Sequence, residues 1–235
     1  MNKKVFIGVG HGGSDPGASA NGLTEKNVNL NIALSLKAEL ESQGVKVAIS
    51  RVKDENDPLA DEIKECNAFN PDLAVEIHNN AGGGDGAEVY HYSKGGTSKT
   101  LAQNILNEIV AIGQNSRGLK TKLDKSGKDY FGFIRDTKAP AVIVEAAFLD
   151  NKNDVNIINT PEKQKNMGIA VAKGVLKTLG FEYKTQVTVP KSATSTTAQT
   201  PKKIYRVQVG AFSDKANAEK LKKELINKGY NAIIQ

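Results

Sequence analysis

Residues 4–18, KVFIGVGHGGSDPGA, join a short apolar run to a glycine-rich turn with a histidine in its middle, and two architectures compete for them. Gly8, Gly10 and Gly13 spell G-x-G-x-x-G, the pattern that in a dinucleotide-binding unit wraps a pyrophosphate at a helix N-terminus. That reading needs the third glycine to open a helix and the second strand to end in an acidic residue for the ribose. Gly13 is followed instead by the turn sequence Ser14-Asp15-Pro16-Gly17, and the second apolar run, VKVAIS (45–50), leads into Arg51. Both conditions fail. The alternative makes His11 the first ligand of a metal site at the end of a strand.

Outward from this turn, strand and helix patterns alternate. VKVAIS, DLAVEIH (72–78), AEVYHYS (87–93) and APAVIVEAAF (139–148) predict further strands. Between them, Thr24 predicts an N-cap for a helix whose buried face is Val28, Ile32, Leu36 and Leu40, ending at Gly44. Pro58 opens a second helix carrying Leu59 and Ile63; Thr97 or Ser98 caps a third with Leu101, Ile105 and Ile109. A last helix runs from Pro161 to Leu179. The fold class is therefore α/β, a mainly parallel twisted sheet flanked by helices.

Composition narrows the function. Of the 235 residues, 39% are apolar and 25% charged, the balance of a globular chain, and no apolar run approaches the about 18–20 residues of a membrane span. The run Val5–Phe6–Ile7 behind Lys3 and Lys4 stops short of the roughly 7–15 residues of a signal core, so it predicts a strand and an export route other than a signal peptide, such as a holin. A single cysteine, Cys66, excludes an intramolecular disulfide and a cysteine-based zinc knuckle, and its apolar neighbours predict buried filler. Residues 185–235 hold nine Lys and Arg against three Asp and Glu, so the whole net charge of +6 lies there. The basic tail offers attachment to an anionic surface, and a neutral body gives no reason to expect nucleic acid.

The ionisable residues at strand ends carry the chemistry. His11 follows the first strand, His78 ends the third, Glu25 opens the first helix and Glu145 sits within AVIVE. In a parallel sheet the C-terminal strand ends meet at one crevice. Two histidines and a glutamate are the ligand set of catalytic zinc hydrolases, with a second glutamate to take a proton from water. Spacings of 14, 53 and 67 residues form no local motif, so the competing expectation for each histidine is a hydrogen-bonded structural role.

GHGGSDPGA (10–18), Glu25, IHNNA (77–81), GAEVYHYS (86–93) and VEAAFLDN (144–151) resemble, in order, the motif series of zinc-dependent N-acetylmuramoyl-L-alanine amidases, the cell-wall hydrolases of bacterial autolysins and phage endolysins. The resemblance spans residues 3 to about 180. It implies one Zn2+ held by His11, Glu25 and His78, and Glu145 as catalytic acid/base, acting on bacterial peptidoglycan at the extracellular wall. Asn79, Asn80 and Arg135 become candidates for orienting sugar or peptide, while His91 falls where the family has no ligand. Ala147 stands where the family commonly has Gly, and Glu76 where Ser is more usual; Glu76 shares the strand face of His78. Another zinc amidohydrolase and a wall-binding protein with a decayed site remain the rival readings.

After Tyr183 the composition changes. Residues 184–203 are rich in Ser, Thr, Pro and Lys and predict a flexible linker between a catalytic domain (1–183) and a small module (204–235). IYRVQVGAF (204–212), the amphipathic SDKANAEKLKKELINKG (213–229) and YNAIIQ (230–235) predict a βαβ half-module. It resembles the first half of a SPOR domain, a ferredoxin-like module that binds peptidoglycan glycan. Ala218, Leu221 and Leu225 form an apolar stripe on its helix, which suggests a homodimer built from two half-modules.

Overall fold

Strand residues alternate between two unlike faces, and this alternation lays out the molecule. The structure, a computed structural model, describes residues 3–184, 209, 210, 212 and 214–227. The chain divides into two units, Met1–Thr185 and Gln186–Gln235. In chain order the first unit holds β1 (Lys4–Val9), a small hairpin of β2 (Ser19–Ala20) and β3 (Leu23–Thr24), α1 (Glu25–Ser42), β4 (Lys46–Ile49) and α2 (Leu59–Phe69). There follow β5 (Leu73–Asn80), β6 (Ala87–His91), α3 (Thr97–Ala111), β7 (Ser116–Lys120) and α4 (Gly132–Asp136). β8 (Ala141–Phe148), α5 (Lys152–Ile158) and α6 (Pro161–Thr178) complete it. The six-stranded sheet has the order β4-β1-β5-β8-β6-β7 and is parallel except between β8 and β6. No described helix is long and apolar enough to cross a membrane.

One sheet face is a continuous apolar layer. Val5, Ile7 and Val9 of β1, Val75 and Ile77 of β5, Val142 and Val144 of β8 and Val89 of β6 are all buried there against α1, α3 and α6. The residues between them point to the other face, where Phe6, Ala74, Ala141 and Ile143 form a smaller cluster with Cys66 of α2 and Phe133 and Ile134 of α4. That smaller layer stops short of the C-terminal strand ends. Beyond it the same face carries Gly8 beside Glu76, then His78 beside Glu145, with Glu88 of antiparallel β6 on the far side of Glu145.

The fold class matches expectation, and several local details differ. Thr24 does stand at the N-cap of α1, but its side chain makes no cap bond; the helix start is satisfied by the loop carbonyls of Ala18 and Pro16, which accept from the amides of Glu25 and Lys26. Neither Thr97 nor Ser98 caps α3: Gly96 is the N-cap, and Ser98 is drawn inward to accept from the Tyr92 amide and donate to the Ala141 carbonyl. The hairpin β2–β3, the edge strand β7 and the short helices α4 and α5 were not expected. SRGLK (116–120) and GFIRD (132–136) are too short and too polar to show a period.

In the second unit the expected helix is present as α7 (Lys215–Asn227), with Ala218, Leu221 and Leu225 half-buried. The linker beyond Lys184, the strand expected at 230–235 and most of the strand expected at 204–212 lie outside the described residues. So does the pairing of two half-modules.

α6 crosses both α1 and α3 through glycines. A Cβ on Gly168 would lie 2.5 Å from the Ile32 carbonyl oxygen, and one on Gly174 would lie 2.5 Å from Ile105 Cα. Replacing a helical glycine by alanine ordinarily stabilises by roughly 0.5–1 kcal/mol. Here the overpacking cost of about 1–3 kcal/mol should outweigh that gain. Gly168→Ala is therefore expected to lower the melting temperature by several degrees in a thermal scan, and a raised one would refute the close approach.

Candidate active site

The glycines of the first turn make room for ionisable side chains. A Cβ on Gly8 would lie 2.1 Å from Glu62 Oε1, and one on Gly10 would lie 2.2–2.6 Å from three ring atoms of His78. Gly17, at φ +62°, would meet Glu25 Oε2 at 2.5 Å and the His11 ring at 2.7 Å. The first two glycines of the pattern that imitates a phosphate loop thus make room for Glu62 and the His78 ring, while the third, Gly13, packs against Asn56. No helix begins at Gly13, in agreement with the rejected dinucleotide reading.

Glu25, at the first position of α1, is the centre of the cluster. Its Oε1 lies 3.2 Å from His11 Nε2 and 3.1 Å from His78 Nδ1. Oε1 also accepts from the Asn79 amide at 3.2 Å, and Oε2 from the Ala18 amide at 2.9 Å. Burial alone would raise this carboxyl, but the two imidazoles and the Ala18 amide outweigh it and hold it far below the usual carboxylate range. One ligand atom from each of His11, Glu25 and His78 lies within 4.8 Å of the others. Donors sharing a tetrahedral ion at about 2.0–2.1 Å stand roughly 3.3 Å apart, so the two shortest separations already approach that geometry.

Each imidazole turns its other nitrogen to a carboxylate. His11 Nδ1 is 2.8 Å from Asp15 Oδ2, and His78 Nε2 is 3.4 Å from Glu76 Oε1. A carboxylate behind a histidine fixes its tautomer and ring orientation, as behind metal-binding histidines generally. The bond to Glu25 raises the His11 pKa against the cost of burial. Burial would lower that of His78, but Glu76 and Glu25 reverse the sign. Asp15 was not singled out in the sequence, where it looked like part of a turn; its place four residues after a strand-end histidine was the available signal.

Glu145 faces the same cleft, which has a volume of about 610 Å3 and an apolar wall that includes Leu59, Phe131, Phe133 and Ile143. Burial, with Glu25, Glu88 and Glu76 nearby, pushes its carboxyl up to about 7 despite the opposing pull of His78. Its Oε2 is shielded from solvent and has no hydrogen-bond partner among the described residues. Glu62 of α2, also on the cleft, is buried against Glu76, and burial followed by the charges of Glu76 and Asp57 raises it well above the carboxylate range. Sequence reasoning missed Glu62 because a polar residue on an amphipathic helix resembles an exposed one.

Of the remaining candidates, one supports the cluster and the others lie outside it. Asn79 braces the cluster by donating to Asn29 Oδ1 at 2.8 Å, and Asn29 donates to the Gly10 carbonyl at 3.0 Å. Asn80 donates to Glu88 Oε1, and Arg135 bonds Asp136 and the carbonyls of Asp129 and Tyr130; neither lines the cleft. His91 is buried beside the Tyr92 carbonyl at 2.8 Å, away from the other two histidines.

Comparison with known proteins follows the same lines. A family model described as N-acetylmuramoyl-L-alanine amidase matches residues 5–177, and one for the SPOR domain matches residues 201–235. The N-acetylmuramoyl-L-alanine amidase CwlM of Bacillus licheniformis is 35% identical over 235 residues, covering 98% of this chain and 84% of the relative. The endolysin of Bacillus phage SPP1 is 32% identical over 195 residues, 81% of this chain and 71% of its own. Among solved structures, the N-acetylmuramoyl-L-alanine amidase AmiC2 of Nostoc punctiforme superposes with a TM-score of 0.69 at 30% identity, over 76% of this chain and 97% of that one.

The fit of the His78 ring against Gly10 can be tested directly. Gly10→Ala should displace the ring from Glu25 and weaken divalent-metal binding by about 10–100-fold, read by chelator competition. Unchanged affinity would show that the ring tolerates the methyl group without moving its donor atom.

Proposed function

The chain belongs to the N-acetylmuramoyl-L-alanine amidase family, and on that footing we propose that His11, Glu25 and His78 hold a single zinc ion while Glu145 moves the protons of amide hydrolysis. The chain is a peptidoglycan hydrolase that cleaves the amide between N-acetylmuramic acid and the L-alanine of the stem peptide. The observation that carries the zinc reading is the convergence of two imidazole nitrogens on one buried carboxylate oxygen at 3.1 and 3.2 Å. Two imidazoles, each giving up the proton on the nitrogen that faces the ion, and a carboxylate fit zinc, and a set of three leaves a fourth position for water or substrate.

When bound, the ion supplies Lewis acidity to the scissile carbonyl and to water. Asp15 and Glu76 keep both rings turned with one nitrogen toward Glu25. Glu145, which lines the cleft, accepts the proton of the attacking water and returns it to the leaving alanine nitrogen. Burial holds this carboxyl above the ordinary carboxylate range in the metal-free chain, the direction that favours a group able both to take and to return a proton. The apolar cleft wall limits water around the carboxyl and sustains that pKa. We read residues 1–183 as the catalytic domain, 184–203 as a linker and 204–235 as a SPOR-type attachment to the wall.

The ligand and proton-transfer roles separate experimentally. His11→Ala and His78→Ala should each lose both bound metal and activity, since two protein ligands seldom retain catalytic zinc. Stoichiometric zinc in His78→Ala, by metal analysis, would remove that residue from the set.

Glu145→Gln should keep the metal and the fold while hydrolysis falls by about 10²–10⁴-fold, the scale of a general acid/base. The assay is release of new N-terminal alanine from purified wall. Near-normal release by this variant would overturn the role, and release of acetate or a C-terminal amino acid by the unaltered chain would overturn the reaction.

A further inference from the structure

We infer that Arg51 is a positioning residue that fixes His11 and Glu25 relative to each other. Arg51 follows β4 and is only 2% exposed, yet it makes no ion pair among the described residues. Its guanidinium donates to backbone carbonyls instead: Nε to Val9 at 3.2 Å, Nη2 to Gly10 at 3.2 Å and to Lys26 at 2.8 Å, and Nη1 to Lys53 at 3.2 Å. Val9 and Gly10 immediately precede His11, and Lys26 immediately follows Glu25. One side chain thus joins the strand that delivers the first histidine to the helix that delivers the carboxylate.

The backbone at His11 supplies an independent reason for such a clamp. His11 has φ +62°, in the left-handed region, which is unfavourable for a residue with a Cβ and persists only where its surroundings hold it. Arg51 grips the two carbonyls just before it. The turn after it also closes on the same side chain: a Cβ on Gly12 would lie 3.0 Å from Arg51 Nε.

A simple filling role fits poorly. Burying a guanidinium carries a desolvation penalty, and an apolar residue of similar volume would fill the space without it. What an apolar residue cannot do is bond to three chain segments at once. A lysine lacks the planar, forked donors that let arginine do so. Arg51 touches neither cleft nor ligand donors, so its influence runs through the two residues it spaces.

This inference rests on the zinc reading, and the experiment separates the two. Full-length Arg51→Lys and Arg51→Gln are compared with the unaltered chain and with Leu101→Ala, a core truncation in α3 on the opposite sheet face. Zinc affinity is measured by chelator competition, folding by circular dichroism, and the His11 ring resonances by NMR in metal-free protein. The Arg51 variants should fold, bind zinc about 10–100-fold more weakly and shift the His11 resonances. Leu101→Ala should lose stability with both readouts unchanged. Absence of stoichiometric zinc from the unaltered chain would overturn the zinc reading, while the His11 resonances would still test Arg51. Native zinc affinity and unshifted resonances in a folded Arg51 variant would overturn the inference. Failure of both variants to fold, or the same changes in Leu101→Ala, would also overturn it by assigning Arg51 to general stability.

Discussion

A carboxylate shielded from solvent is tolerated only when donors surround it, and the site is organised around that condition at Glu25. Two imidazoles and two backbone amides converge on its oxygens. The four donors come from three pieces of chain: the His11 ring from the loop after β1, the His78 ring and the Asn79 amide from the end of β5, and the Ala18 amide from the turn before β2. The charge therefore fixes the mutual placement of segments that are far apart in sequence. Asn29 and Asn79 extend the same bracing one layer outward, linking α1 to the Gly10 carbonyl and to β5.

The sheet makes this affordable by keeping its two faces distinct. Branched aliphatic side chains cover one face without interruption and pack under α1, α3 and α6, which provides a large apolar layer. The opposite face has a smaller cluster and gives its C-terminal half to Glu76, His78, Glu145 and Glu88. Because the strand period is two, neighbouring residues such as Ile77 and His78 belong to different layers. Substitutions in the aliphatic layer should act mainly on stability, and those one residue along mainly on chemistry.

Much of this was legible in the sequence because the principal strands and helices carry strong periods. The runs VFIGV, LAVEIH and AVIVEAAF leave little choice but buried strands, and polar residues inside them stand out as His78 and Glu145 do. Elements set by tertiary contacts were not legible. Ser98 reads as a helix cap locally, yet a buried strand carbonyl competes for its hydroxyl. Asp15 and Glu62 gain their meaning from side chains that only the fold brings near. The glycines were readable as a turn, but not as hollows for Glu62, His78 and Glu25, since the sequence does not say what fills the missing Cβ space.

Cys66 faces the smaller layer, on α2, fully buried and with its thiol pushed up to about 12 by that burial. A thiol in that state presents almost no thiolate, so oxidants and disulfides find no nucleophile while the layer is closed. Its reactivity then becomes a clock for opening of the face that holds the catalytic groups. Because it is the chain's lone cysteine, a thiol reagent reports on that layer without interference from another site. Were that layer to open by itself, the thiol would be modified while the aliphatic layer stayed packed, so local opening of the catalytic side could be told apart from unfolding of the whole domain.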